Sequence, residues 1–224
     1  MTTDAFSDPA AAATYAERAR RSVPGLDHLH AVVDEMLAVS VPGDGRVLVV
    51  GAGGGLELTY LAERHGGWTF VGVDPSAPML ELARERMGSL AGRAALHEGY
   101  VADAPNGPFD AATCLLVLHF LRRDERLRTL GEIRRRLRRG APLVTFHHSA
   151  PDGDARSALF ERYARFTAGP DADPAQIQQS AATLSTQLPI ASPEEEEALL
   201  LEAGFTDVST YYAVLTLRGW LAYA

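Results

Sequence analysis

Val47-Leu48-Val49-Val50-Gly51-Ala52-Gly53-Gly54-Gly55 is a short apolar run that ends in glycines. Leu56 to Glu63, directly after it, carries apolar residues at helical spacing. Trp68 to Val73 is again rich in aromatic and β-branched residues and closes on Asp74. Strand, glycine turn, helix and strand in that order predict a right-handed parallel unit. Glycines at the turn let the backbone bend sharply and approach a ligand where side chains would collide. Asp74 stands 19 positions beyond Gly55, where an acid can accept from both hydroxyls of a ribose. Turn and acid together predict a nucleoside-containing ligand at the carboxyl edge of the sheet.

The alternation continues outward from this unit. Pro78 to Met87 reads as a helix and Ala94 to Glu98 as a strand. Phe109 to Leu118 is a nearly continuous apolar strand, Asp124 to Arg139 a helix, and Leu143 to His147 a fifth strand. Continuous apolar strands between helices are what a sheet covered on both faces requires, so the fold class is α/β. Before the first strand, Tyr15 to Arg21 and His28 to Val39 read as helices around Val23-Pro24-Gly25. From Ala150 to Leu188 the chain turns polar, broken at Gly169-Pro170 and Asp173-Pro174, and reads as two inserted helices. Ser192-Pro193-Glu194-Glu195 is a capping box, which accounts for the acidic run Glu194 to Glu197, and Gly204 stops that helix. Thr206 to Ala224 alternates around Arg218-Gly219 as a terminal hairpin.

The glycine turn does not separate methyl donors from nicotinamide cofactors, but its surroundings do. Val47 to Gly55 followed by Val71-Gly72-Val73-Asp74-Pro75-Ser76 and Met79-Leu80 resembles the first two motifs of the class I S-adenosylmethionine-dependent methyltransferases. Phe109-Asp110, Leu116-Val117-Leu118-His119 and Glu202-Ala203-Gly204-Phe205 extend the resemblance from Arg46 to the C-terminus. It implies a doubly wound, Rossmann-like, seven-stranded sheet in the order 3-2-1-4-5-7-6, with the last strand antiparallel. A single domain over residues 1–224 is expected: a helical lid at 1–40, the cofactor core at 46–148, an insertion at 150–190 and a C-terminal helix with strands at 192–224.

By that resemblance Gly51, Ala52 and Gly53 face the methionine part of S-adenosyl-L-methionine and Asp74 holds its ribose, with Pro75, Ser76, Met79 and Leu116 bordering it. Tyr100 and Val101 fall at the adenine, where the family's usual Gly-Asp has become Gly99-Tyr100; Asp103 is the nearest acid. Arg21-Ser22-Val23-Pro24-Gly25 is similar to the start of the carboxy-S-adenosylmethionine synthase subfamily, which makes Tyr15 and Arg21 candidate lid residues over the methionine end. That subfamily's tyrosine and arginine for the extra carboxylate correspond here to Leu26 and, counted back from Ala203, Leu199. A second carboxylate would lack a cation, so the ordinary methyl donor is expected.

Methyl transfer from a sulfonium needs positioning more than acid or base help. If the acceptor must lose a proton, His147 and His148 at the end of the fifth strand are the candidate bases, with His119 read as structural. Tyr163, Phe166, Tyr211 and Tyr212 are candidate pocket walls. His28 and His30 diverge by about 200° on a helix, so no metal site is read there.

The chain of 224 residues carries a formal charge of -8, which argues against a chain-wide footprint for nucleic acid. Its basic residues are all arginine, and the nine between Arg122 and Arg139 read as a solvated helix face. Cys114 sits in an apolar run and reads as a core thiol. Without a run of ~20 apolar residues, and with Met1 to Pro9 lacking the features of a signal peptide, the expectation is a cytoplasmic enzyme. It would act on a small molecule, with no nucleic acid or membrane partner, as a monomer or homodimer. Transfer-RNA modification, a nicotinamide oxidoreductase and a non-catalytic adenosyl-binding module are the alternatives.

Overall fold

The computed structural model describes residues 14–224, so Met1 to Pro9 and the start of the expected lid lie outside the described residues. Helices α1 (Tyr15–Ser22) and α2 (Leu26–Ala38) precede β1 (Arg46–Val50). Then come α3 (Leu56–Arg64), β2 (Thr69–Asp74), α4 (Ala77–Met87), β3 (Ala94–Glu98) and β4 (Ala111–Leu115). The second half runs α5 (Arg123–Arg136), β5 (Pro142–His148), α6 (Asp154–Ala168), α7 (Pro174–Gln187), α8 (Pro193–Glu202), β6 (Thr206–Val214) and β7 (Leu217–Tyr223). The strands form one seven-stranded sheet in the order β3-β2-β1-β4-β5-β7-β6, with β7 antiparallel to both its neighbours.

Helices cover both faces because the central strands are apolar on both. Val47 and Val49 of β1 turn to one face, where they join Val33, Leu37 and Leu61 of α2 and α3. Leu48 and Val50 turn to the other, against Leu130 and Ile133 of α5 and Leu199 of α8. Such alternation is the pleat read through two hydrophobic layers. Phe160, Ala164, Ile177 and Ala181 form a third cluster between α6 and α7, so the insertion has its own small core. Ser192 and Glu195 exchange capping bonds at the start of α8, and Asp173 caps α7 through the Ala175 N–H at 3.0 Å.

Several sequence expectations shift. The fourth strand is only Ala111–Leu115: Leu116 adopts a left-handed φ of 59°, which breaks the ladder, and Leu118–Phe120 coil into a 3-10 turn. Phe109 pairs only through an isolated bridge to Leu137, which also ends α5 short of Arg139. The terminal hairpin turns between Val214 and Leu217, and Arg218-Gly219 lies inside β7. Glycine is needed there because the Tyr211 ring occupies the space a Cβ would take.

The arginine face is also corrected. Arg126 and Arg136 are 1% and 2% exposed rather than solvated. Arg136 donates to the carbonyls of Ala102 and Ala104, tying α5 to the loop after β3. Arg126 meets Glu196 of α8 and the Leu121 carbonyl. Glu196 is therefore a buried partner and not just one charge of a helix start. Burial pushes its carboxyl up, but His147 and Arg126 beside it hold it below the usual range. Cys114 is fully buried, and burial pushes its thiol far up.

Candidate cofactor and acceptor site

The glycine turn sits where β1 ends. Gly51 and Ala52 both donate to the Val73 carbonyl, at 2.8 and 3.0 Å, which folds the turn against the end of β2. Gly51 has φ 77°, and a Cβ there would collide with Val117, so only glycine admits the close packing of the β4 end. The Asp74 Oδ2 accepts the Gly53 N–H at 2.9 Å and its Oδ1 accepts the Ser76 N–H at 2.9 Å. Each carboxylate oxygen keeps a further lone pair, enough for two ribose hydroxyls. Burial raises the carboxyl of Asp74, and the two backbone donors offset part of that rise. Ser76 is buried and caps α4 through the Met79 N–H at 3.3 Å; Met79 is buried beneath Gly53, and Pro75 is exposed beside them.

Tyr15 of α1 lies over this turn. Cβ atoms built on Gly53 and Gly54 would come within 3.3 Å of its hydroxyl and 2.7 Å of its ring. Burial and the nearby Asp74 charge push the phenol up to about 12, so it stays protonated. Arg21 does not join it. Six residues on, about 120° round the helix, its guanidinium is exposed and donates to the Thr167 carbonyl of α6 at 3.4 Å. The Ser22 side chain lies beside the Tyr163 hydroxyl of the same helix, and Tyr212 donates to the Pro24 carbonyl at 2.6 Å. The N-terminal helices are thus fastened to the insertion and to β6.

At the other end of the turn, Leu116 holds its left-handed backbone while its N–H reaches the Phe146 carbonyl at 2.5 Å. Such a conformation costs a non-glycine residue about 1–2 kcal/mol and is kept where surrounding structure imposes it. Tyr100 is 62% exposed, and its N–H donates to the Asp103 Oδ2 at 2.9 Å. Asp103 is thereby spent on capping a 3-10 turn, and Val101 is the buried residue of the three.

The two histidines of β5 face opposite sides, as pleating requires. His147 packs on the Trp220 ring at 5.2 Å with Nε2 3.1 Å from Glu196 Oε1, in the α8 layer away from the turn. It is therefore withdrawn as a candidate base. His148 lies on the side of α6: its Nδ1 is 2.8 Å from Thr216 Oγ1, and its ring stands edge-on to Tyr163 at 4.8 Å. His119, read as structural, stands edge-on to His148 at 5.0 Å and joins the cluster. Burial, then the nearby His147, lowers His148 to about 4, and burial lowers His119 well below its usual range, so both imidazoles are neutral. Of the proposed walls, Tyr163 fits this cluster, Phe166 is 47% exposed, and Tyr211 donates to the Thr145 carbonyl at 3.3 Å.

Sequence reasoning passed over Glu57. It occupies the second position of α3, two residues past the glycine turn, and is buried with its Oε1 unpartnered. Its signal was available: Glu57 stands beside Leu58 and one turn before Leu61 on the inward face of α3.

Residues 48–143 match the model of a methyltransferase domain. Among curated proteins the chain is 26% identical to a carboxy-S-adenosyl-L-methionine synthase of Chromohalobacter salexigens, over 96% of this chain and 82% of that protein. It is 32% identical to a phosphatidylethanolamine N-methyltransferase of Cereibacter sphaeroides, over 54% of this chain and 60% of the relative. Human N-acetylserotonin methyltransferase, solved in complex with S-adenosylmethionine, superposes with TM-score 0.64 at 16% identity, covering 99% of this chain and 58% of that one. An O-methyltransferase family protein of Burkholderia thailandensis gives 0.64 at 17%, covering 88% and 55%. The chain thus spans little more than half the length of these two structures, and they bear on its fold alone. The domain matched over residues 48–143, the sheet order and the glycine turn bonded to Asp74 together support a class I S-adenosylmethionine-dependent methyltransferase.

Proposed function

We propose that the protein moves a methyl group to an oxygen or nitrogen of a small-molecule acceptor, with α1 and α6 closing over the site. The observation that carries this reading is the neutral pair His148 and His119 at the carboxyl ends of β5 and β4, on the side of the sheet capped by α6. When bound, the cofactor supplies an electrophilic methyl group on a sulfonium. Gly51, Ala52 and Gly53 would border its methionine part, and Asp74, already oriented by two backbone donors, would hold the ribose. Pro75, Ser76, Met79, Val101 and Leu116 line the remaining approach.

Thr216 fixes the His148 ring through Nδ1, which leaves Nε2 as the nitrogen for an acceptor proton. Tyr163 packs against the His148 ring and Phe120 against His119, which keeps water from the pair. Tyr15 covers the glycine turn, so α1 must lift for the cofactor to enter.

Against a carboxylated donor, Leu26 and Leu199, which stand at the positions compared with that subfamily's tyrosine and arginine, are buried core residues that offer its carboxylate no partner. Nor do the α5 arginines favour a nucleic acid. Two are buried, and Arg123, Arg128 and Arg135 pair with acids while Arg134 donates to the Gly204 carbonyl. No helix among the described residues is long and apolar enough to cross a membrane.

Labelled S-adenosylmethionine offered with panels of phenols, amines and bulk transfer RNA tests the reading. Label transfer to a small phenol or amine, lost in His148→Ala, is the expected result. Transfer to transfer RNA alone would overturn it.

A further inference from the structure

We propose that Glu57 is the counter-charge for the cationic methionine end of the cofactor, and that cofactor binding therefore expels a proton from the protein. The proposal rests on the S-adenosylmethionine reading of the same site and adds to it a residue that no family motif supplies.

The placement comes first. Gly55 ends the glycine turn in a left-handed conformation and caps α3, so Glu57 begins the helix directly behind the turn. Its side chain is 8% exposed, beside Thr113 of β4. Its Oε1 has no hydrogen-bond partner, and the Thr113 hydroxyl of β4 near it offsets only part of the effect of burial. An acid buried without a partner is costly and is retained only where something completes it.

Among the described residues no cation does. The ionisable groups that feel the charge are Tyr15 of α1, Cys114 of β4 and Tyr211 of β6. All three are neutral acids, and the charge of Glu57 helps hold their protons on. No cation is among them. Tyr15 is the group that covers Gly53 and Gly54, so the field of Glu57 extends to the cover of the glycine turn. The missing partner is then a ligand cation delivered beside the turn. S-adenosylmethionine carries an α-ammonium and a sulfonium there.

Burial pushes the Glu57 carboxyl up to about 7, so near neutral pH it is partly protonated before the ligand arrives. A cation beside it favours the carboxylate. The O–H bond of the acid breaks, its electron pair stays on the carboxylate, and the proton passes to the buffer. No other reactant is needed.

Calorimetry of S-adenosylmethionine binding to the full chain, in buffers of differing ionisation enthalpy, counts the protons released. About half a proton per ligand is expected at pH 7 and none at pH 9, with affinity rising about tenfold from pH 6 to 8.5. Glu57→Gln should bind more weakly, release none of this proton and show no such rise. S-adenosylhomocysteine keeps the ammonium but has a neutral sulfur. Release with both ligands assigns the charge to the ammonium, and release with the methyl donor alone assigns it to the sulfonium. Binding without release, or equal release from the Gln variant, overturns the assignment of Glu57. Failure of the wild-type chain to bind either ligand would instead overturn the cofactor reading. A melting transition shows whether the variant folds; should it not, release from the wild-type chain decides alone.

Discussion

Replacing Glu57 by Gln should stabilise the free protein, by an amount that depends on pH. The folded carboxyl is raised from 4.5 to about 7, and at about 1.4 kcal/mol per pH unit the charged form costs about 3 kcal/mol. The sign follows from the direction of the rise. The folded state holds its proton more tightly than the unfolded chain, so the native state is favoured fully below pH 4.5 and loses that advantage as pH climbs through about 7. An amide of the same shape has no charge to bury and avoids the loss. Urea unfolding at pH 4.5 and 8.5 would measure it: near-equal stability at the lower pH, and the Gln variant ahead by about 3 kcal/mol at the higher. The figure is an upper bound, because water entering near Tyr15 would lower the cost of the charge. A pH-independent difference, or a variant less stable at pH 8.5, would refute the reasoning, since either means that the acid is already paired in the folded state.

Three further outcomes can be measured. Tyr15→Ala uncovers the glycine turn and should weaken S-adenosylmethionine binding roughly tenfold by calorimetry; unchanged affinity would remove α1 from the site. Because His148 loses its proton near pH 4, methyl transfer should show no acid limb attributable to it between pH 6 and 8. A limb lost in His148→Gln would mean that the ring is less buried than described. Arg126→Met leaves the buried Glu196 charge with His147 alone and should cost about 3–5 kcal/mol in urea unfolding. Adding Glu196→Leu should recover most of it, and a double variant as unstable as the single would show that packing, not the stranded charge, is the cause.

The glycine turn and its meeting with Asp74 were legible because that geometry is local. Gly51, Ala52 and Gly53 lie in one turn, and Asp74 reaches that turn because parallel pairing of β1 and β2 brings both strand ends to one edge. A residue pattern that implies a parallel unit already implies that meeting. The order of the strands followed from resemblance, and β7 lies between β5 and β6 as expected.

The acceptor half was not legible, because it depends on which way side chains face after distant elements pack. His147 and His148 are adjacent in sequence and equal by composition. Only the pleat of β5, with Trp220 and Glu196 on one side and Tyr163 with Thr216 on the other, separates a structural histidine from a candidate base. Asp103 turns back to cap the Tyr100 N–H, a contact that sequence spacing alone does not announce. Arg126 and Arg136 read as solvated because helical spacing cannot tell that α8 and the loop after β3 will cover them. The sequence by itself determined the α/β class, the alternation of strands and helices and the residues of the glycine turn, since those follow from periodicity and from backbone freedom at glycine. Tertiary packing decided which polar groups lost water and which found partners: Glu57 lost it without a partner, and Arg126 lost it with one. Burial and pairing are properties of neighbours far apart in the chain, and so appear only when the chain is folded.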